Sequence, residues 1–191
     1  MIIILIGPSG SGKSTIENEF TRFYNFKKVT SYTTRSPRDG EINGKDYHFI
    51  TNEEFEKMIE NSEFAEWDEY SQNRLYGTKI ADFTEGNKVV VLTPNGFRQL
   101  KKNLPPDVKM FSVLVDASLG TRMIRYITRC GIDKFNFDDK NEICSRVERD
   151  FGMFLGLENE VDMIVKNDEG TDIVTVTKLI VDEMKNKYHI N

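Results

Sequence analysis

Short apolar runs separated by turn residues set the rhythm of this chain. Residues 2–6, 89–92 and 108–115 are rich in β-branched side chains and almost free of charge. Between them lie stretches with apolar positions at helical spacing, beginning with residues 16–23. Uniformly apolar strands alternating with amphipathic helices are the pattern of a parallel sheet covered on both faces by crossover helices, so an α/β core is expected. The last stretch, 171–187, mixes the two signals. It holds many β-branched residues, yet Ile173, Val176, Ile180 and Met184 recur at helical spacing, which predicts a final helix.

Two segments break the alternation. Residues 31–80 carry the turn-rich Ser36-Pro37-Arg38-Asp39-Gly40, a second turn at Asn43-Gly44 and the aromatic run Tyr47-His48-Phe49, and predict a small inserted lobe. Within it, Thr51 followed by Glu54 forms a capping box ahead of Phe55, Met58 and Ile59, which predicts a helix. The second segment is the polar stretch 131–141, with Asp133, Asp138 and Asp139 lying between two arginine-bearing helical segments. It is expected to belong to a mobile lid spanning 125–150. The whole chain, 1–191, then reads as one domain, a size that supports one sizeable core.

The first chemical signal lies where the first strand ends. Gly7-Pro8-Ser9-Gly10-Ser11-Gly12-Lys13-Ser14 fits the phosphate-loop pattern G-x-x-x-x-G-K-S/T, and it sits after an apolar strand and before a helical run. Glycines at these positions let successive backbone N–H groups turn inward around an anion. The following helix adds its positive end, and Lys13 adds a mobile charge. The Ser14 hydroxyl is the expected ligand for Mg²⁺ beside a nucleoside triphosphate, with Thr15 completing the loop.

Composition narrows the partners. With 26 Lys and Arg against 31 Asp and Glu, the net charge of -5 argues against a surface built for a nucleic-acid backbone. Mixed charge at 30% of residues describes a solvated surface. Residues 1–6 are too short an apolar run to span a bilayer and lack the basic start of a signal peptide, so no membrane association is expected. Cys130 and Cys144 have no CxxC spacing and no histidine cluster beside them, which fits a reducing, cytoplasmic compartment and no zinc site.

A second chemical signal is Arg35 and Arg38, held apart by a Ser-Pro turn. Two guanidinium forks at fixed spacing match phosphate oxygens bidentately, but the same residues read equally well as a solvated loop. Tyr47 and Tyr76 read equally as hairpin or core aromatics, and Glu66, among Glu63, Asp68 and Glu69, reads first as an exposed carboxylate.

The order of motifs separates these readings. The phosphate loop is followed by Tyr32-Thr33-Thr34-Arg35-Ser36-Pro37-Arg38 and then by Glu41-Ile42-Asn43-Gly44-Lys45-Asp46-Tyr47. Next come Glu63-Phe64-Ala65-Glu66-Trp67 and Tyr76-Gly77-Thr78, and the series closely resembles the guanylate kinase family. The resemblance covers nearly the whole chain and is densest over residues 1–80. It implies a P-loop kinase core on a parallel five-stranded sheet, with an inserted nucleotide-binding lobe and a lid, and transfer of phosphate from ATP to GMP or dGMP. It also implies Arg35, Arg38, Tyr47 and Tyr76 as acceptor-phosphate ligands, and Ser31, Glu66 and Thr78 around the guanine. Guanine offers two adjacent donors, N1–H and the 2-amino group, that one carboxylate can accept together, whereas adenine offers no such pair. Arg125, Arg129 and Arg146 resemble the lid arginines, with Arg125 and Arg146 joining Lys13 and Arg38 in catalysis and Arg129 on the ATP side. By the same resemblance Asn167, in Val165-Lys166-Asn167-Asp168, stands beside the donor base. Taken without the resemblance, the arginines equally form a basic face paired with Glu142, Glu148 and Asp150.

One segment departs from that family. Where two acidic residues are usual near a Gln-Gly, this chain has Thr93-Pro94-Asn95-Gly96. Two other readings therefore stay open. One is a P-loop kinase for a different monophosphate, which the missing carboxylates favour. The other is a guanylate-kinase-like binding module without catalysis, against which the intact Lys13-Ser14 pair stands.

Overall fold

The structure, a computed structural model, describes residues 1–71 and 74–190. β1 (Ile2–Ile6) runs into a loop and then α1 (Lys13–Phe23), followed by β2 (Lys27–Lys28). The inserted section holds β3 (Tyr32–Thr33), β4 (His48–Phe49), α2 (Asn52–Glu60), β5 (Phe64–Ser71) and β6 (Arg74–Lys79). Then come β7 (Lys88–Leu92), α3 (Pro94–Asn103), β8 (Met110–Asp116) and α4 (Leu119–Cys130). The chain closes with α5 (Phe137–Met153), β9 (Met163–Lys166) and α6 (Ile173–Tyr188).

Five strands form one parallel sheet in the order β2-β7-β1-β8-β9. All five residues of β1 are buried, because a central parallel strand is covered on both faces. Ile3 and Leu5 face a cluster with Ile16 and Phe20 of α1 and Ile180 and Met184 of α6. Ile2, Ile4 and Ile6 face the other cluster, with Phe97 and Leu100 of α3 and Leu157. Strand alternation thus divides one apolar run between two cores and makes three layers. The chain order reverses across the sheet at β1, and in such sheets ligands bind beyond the carboxyl ends of the strands, where Gly7 begins.

The inserted section forms a separate four-stranded sheet, ordered β4-β3-β6-β5. Of the lobe predicted over 31–80, residues 72 and 73 lie outside the described residues, as does Asn191 at the end of the chain. The Thr51–Glu54 capping box forms as expected and starts α2, and Phe55 stacks on Phe64 with ring centroids 4.4 Å apart.

Three expectations shift. The strand expected over 108–115 runs instead from Met110 to Asp116. The helix expected over 171–187 starts at Ile173, because Asp172 accepts from the Val174 and Thr175 amides and acts as its cap. The polar stretch 131–141 is not an extended loop: it contains a 3₁₀ turn, Ile132–Lys134, and the opening of α5. Its Asn136 and Asp139 form a reciprocal capping box, and Asp138 and Asp139 supply the negative first turn that suits a helix N-terminus, while Asp133 lies in the 3₁₀ turn.

Ile4 sits on the central strand with no exposure. Ile4→Ala should cost about 2–5 kcal/mol through lost burial and a residual cavity, read from urea unfolding.

Candidate active site

A cavity of about 570 Å³ opens at the carboxyl ends of β1 and β7, bounded by the inserted sheet and by α4 and α5. Its floor is the phosphate loop. Gly7, Ser9, Gly10, Gly12, Lys13, Ser14 and Thr15 line it, while Pro8 and the fully buried Ser11 lie behind. Among the described residues, α1 is the only α-helix without a side-chain N-cap; the other five use Thr51, Thr93, Ser118, Asn136 and Asp172. Its cap position is Gly12 at φ 96°, a left-handed conformation that suits glycine, and the helix opens onto the cavity. A side-chain cap would occupy amides that an anion needs. Lys13 folds back onto the loop, its Nζ donating to the carbonyls of Gly7 at 2.6 Å and Pro8 at 3.0 Å. Burial lowers its pKa to about 8, against the opposing pull of the Asp150 charge.

The loop is braced from below by Asn167. Its Nδ2 donates to the Ser11 carbonyl at 2.8 Å, and a Cβ on Gly12 would stand 2.2 Å from that nitrogen. Asn167 is buried and packs under the loop.

Cations converge on the other walls. Arg35 and Arg38 enter from the inserted sheet, and Arg125, Arg129 and Arg146 from α4 and α5. Burial, and then neighbouring Arg35, Arg146 and Arg129, lower the Arg38 pKa, a sign of how closely these positive groups crowd. Several have protein partners. Arg125 donates to the Gly10 carbonyl at 3.2 Å, tying α4 to the loop. Arg146 forks onto one Glu142 oxygen at 2.9 and 2.7 Å. Arg129 lies over the Tyr126 ring at 5.2 Å. Arg35, read as a phosphate ligand, pairs through two N–H groups with Glu41 at 2.7 and 2.6 Å and stacks over Tyr47 at 4.9 Å. Glu41, whose carboxyl the Arg35 bonds pull down to about 2, also accepts from the Arg38 amide, and so fixes the turn between the two arginines.

Opposite the loop, the cavity takes in Ser31, Tyr47, Tyr76 and Glu66. Tyr47 and Tyr76 meet edge to face with centroids 5.9 Å apart. Glu66 is not the exposed carboxylate that its acidic neighbours suggest: it is 5% exposed. Thr78, fully buried on the adjacent strand, donates to Glu66 Oε1 at 2.8 Å and positions it without reaching the cavity. Gly96 makes room for that carboxylate, since a Cβ there would stand 2.4 Å from Glu66 Oε2.

The family model for guanylate kinase matches residues 1–183. The chain belongs to the guanylate kinase family. It is 31% identical to the guanylate kinase of Lactobacillus delbrueckii subsp. bulgaricus over 189 residues, covering 95% of this chain and 88% of that one. It is 38% identical to the guanylate kinase of Onion yellows phytoplasma over 177 residues, covering 88% and 79%. The crystal structure of guanylate kinase from Anaplasma phagocytophilum superposes with a TM-score of 0.71 at 21% identity, over 98% of this chain and 85% of that one, which supports the fold. As a member of the guanylate kinase family, the chain is an ATP-dependent phosphotransferase. No helix among the described residues is long and apolar enough to cross a membrane.

Three residues of this guanylate kinase family site escape a reading of the sequence. Asp68 lines the cavity two positions from Glu66 on β5, and the period of a strand puts both on one face. Thr93 Oγ1 donates to Asp68 at 2.6 Å and Asn95 Nδ2 at 3.0 Å. The segment that lacks its usual acidic residues therefore holds a carboxylate supplied by another strand. Strand alternation was the available signal for Asp68. Tyr70, also in the cavity wall, continues the same alternation on β5, whereas Asp150 of α5, which meets it at the phosphate loop, had no such signal.

Burial first, and then the Asp68 charge, raise the Glu66 pKa to about 7, while the Thr78 hydroxyl opposes the shift. The Glu66 carboxyl should titrate near 7 in a ¹³C NMR pH series. Asp68→Asn should move that midpoint down and Thr78→Val should move it up.

Proposed function

We propose that this protein transfers the terminal phosphate of ATP to GMP or dGMP, with the phosphate loop holding the donor and the inserted sheet holding the acceptor. The observation that carries the reading is that one cavity joins an uncapped helix N-terminus, a cluster of arginines and a buried carboxylate, Glu66. The first two suit phosphates at both ends of the transfer, and the third suits a base with paired donors.

In this reading the acceptor phosphate oxygen attacks the γ-phosphorus in line. No protein base is required, because an acceptor monophosphate with a second pKa of about 6 is already largely ionised at neutral pH. Lys13 leaves the Gly7 and Pro8 carbonyls for the donor phosphates, while Arg38 reaches between donor and acceptor. Arg125 and Arg146 approach from the lid formed by α4 and α5, where charge spreads over the equatorial oxygens during transfer. Arg129 faces the donor side. Tyr47, Tyr76 and Arg35 bound the acceptor phosphate, with Arg35 held in place by Glu41. Ser31, with Glu66 and its positioning partner Thr78, surrounds the base.

Mg²⁺ fits this site in kind. A hard ion that keeps most of its shell as water and phosphate oxygen needs one or two protein oxygens, which the Ser14 hydroxyl at the cavity wall supplies. When bound there it would neutralise charge on the donor phosphates. Asp68 adds a carboxylate beside Glu66 and favours a second acceptor class, a monophosphate whose base or sugar offers a further donor.

Lys13→Ala should leave the thermal unfolding profile in place and lower kcat by about 100- to 1,000-fold, the scale expected for one preorganised transition-state contact. Turnover at the original rate in folded variant would reject the donor assignment. Glu66→Gln should reduce the GMP-to-AMP ratio of kcat/KM by about 10- to 100-fold. For the unaltered enzyme, kcat/KM for GMP should fall as pH drops through about 7, because a protonated Glu66 no longer accepts both guanine donors; the Gln variant should lose that inflection.

A further inference from the structure

Asp150 is an acidic side chain placed where phosphate chemistry disfavours one. It is 2% exposed, it lies on α5, and one of its oxygens accepts the backbone N–H of Ser9 at 2.8 Å. Ser9 belongs to the phosphate loop, so a protein carboxylate holds one of the loop's own amides. The neighbourhood is built around that contact. Tyr70, from the acceptor sheet, donates its hydroxyl to the other Asp150 oxygen at 3.3 Å and lies 2.8 Å from Ser9 Oγ. The Arg149 guanidinium stacks 3.9 Å above the Tyr70 ring, and Arg122 of α4 stands 3.6 Å from Asp150. Core loop, acceptor sheet and both lid helices thus meet at a single carboxylate.

The position of Tyr70 indicates which part of the donor is affected. A phosphate passing to the acceptor must sit at the end of the loop nearest the acceptor sheet, and Tyr70 marks that end. Two anions cannot share the Ser9 amide, and like charges at a few ångströms in a buried site repel strongly. We propose that Asp150 is an internal anion that competes with the terminal phosphate of the donor for the Ser9 amide, and so sets how tightly the site holds triphosphate relative to diphosphate. The inference rests on the donor-site reading above. A ligand that lacks the terminal phosphate leaves the Asp150 contact intact, whereas one that carries it must displace the carboxylate and frees Arg122 as it does so. The coupling thus acts on the difference between substrate and product.

The test is calorimetric titration of unaltered protein and Asp150→Asn with MgATP and with MgADP. The amide keeps the shape and removes the charge. MgATP should bind the variant at least about fivefold more tightly, with MgADP changing less than about twofold. Equal or weaker MgATP binding by folded variant, as expected for a purely structural role, overturns the proposal. Should Asp150→Asn fail to fold, the Asp150 carboxyl carbon of the unaltered protein decides the matter by ¹³C NMR. A shift on adding MgATP and not MgADP supports displacement, and the same response to both overturns it. Failure of the unaltered protein to bind either nucleotide overturns the donor-site reading and this inference with it.

Discussion

The start of α1 is the constraint around which the site is organised. Among the described residues no side chain caps its first amides, and the cap position is a left-handed Gly12 at the cavity wall. The helix dipole and its N–H groups make that end a partial positive charge, and Lys13 adds an ammonium group whose pKa burial lowers to about 8. Further positive groups, Arg38, Arg125, Arg129 and Arg146, surround the same volume. In a chain of net charge -5 this concentration is costly unless an anion shares the space. The other features follow from it: Asn167 braces the loop, Glu41 and Glu142 hold two of the arginines, and Asp150 places a carboxylate on the loop.

Electrostatics then divides the cavity into two ends. The loop end is cationic and polar. The far end pairs Glu66 with Asp68, and there burial drives the Glu66 carboxyl up to about 7. A phosphate and a donor-rich base are the ligand halves that such a gradient selects, which is the physical content of the guanylate kinase assignment. The replacement of acidic residues by Thr93 and Asn95 does not leave that end neutral, because both side chains hold Asp68 in the wall.

Where the chemistry is contiguous in the chain, the sequence was readable. The phosphate loop, the β1 run and the Thr51 capping box each lie within a few residues, and each folds as its local pattern implies. The final helix was readable because periodicity outweighed β-branching. Legibility failed where a partner is distant or a polar residue has two uses. Nothing near Ser9 announces Asp150, 141 residues away, and Asp68 meets Thr93 across 25 residues. Asp138 and Asp139 looked like loop because solvated turns and helix first turns favour the same residue types. The exposed reading of Glu66 failed because a strand hides alternate residues however acidic the neighbourhood, and the Arg35–Glu41 pair went unread because its two members sit across a turn.

The most direct test of the central claim is a coupled assay of the unaltered protein with MgATP and each nucleoside and deoxynucleoside monophosphate in turn, following ADP and the new diphosphate together. The account predicts matched formation of ADP and GDP or dGDP, with adenine and pyrimidine monophosphates slower by about 100-fold or more, since Glu66 leaves a buried carboxylate unpaired against them. Preferred turnover of AMP or a pyrimidine monophosphate, or no transfer to any acceptor by protein that binds MgATP, would contradict it.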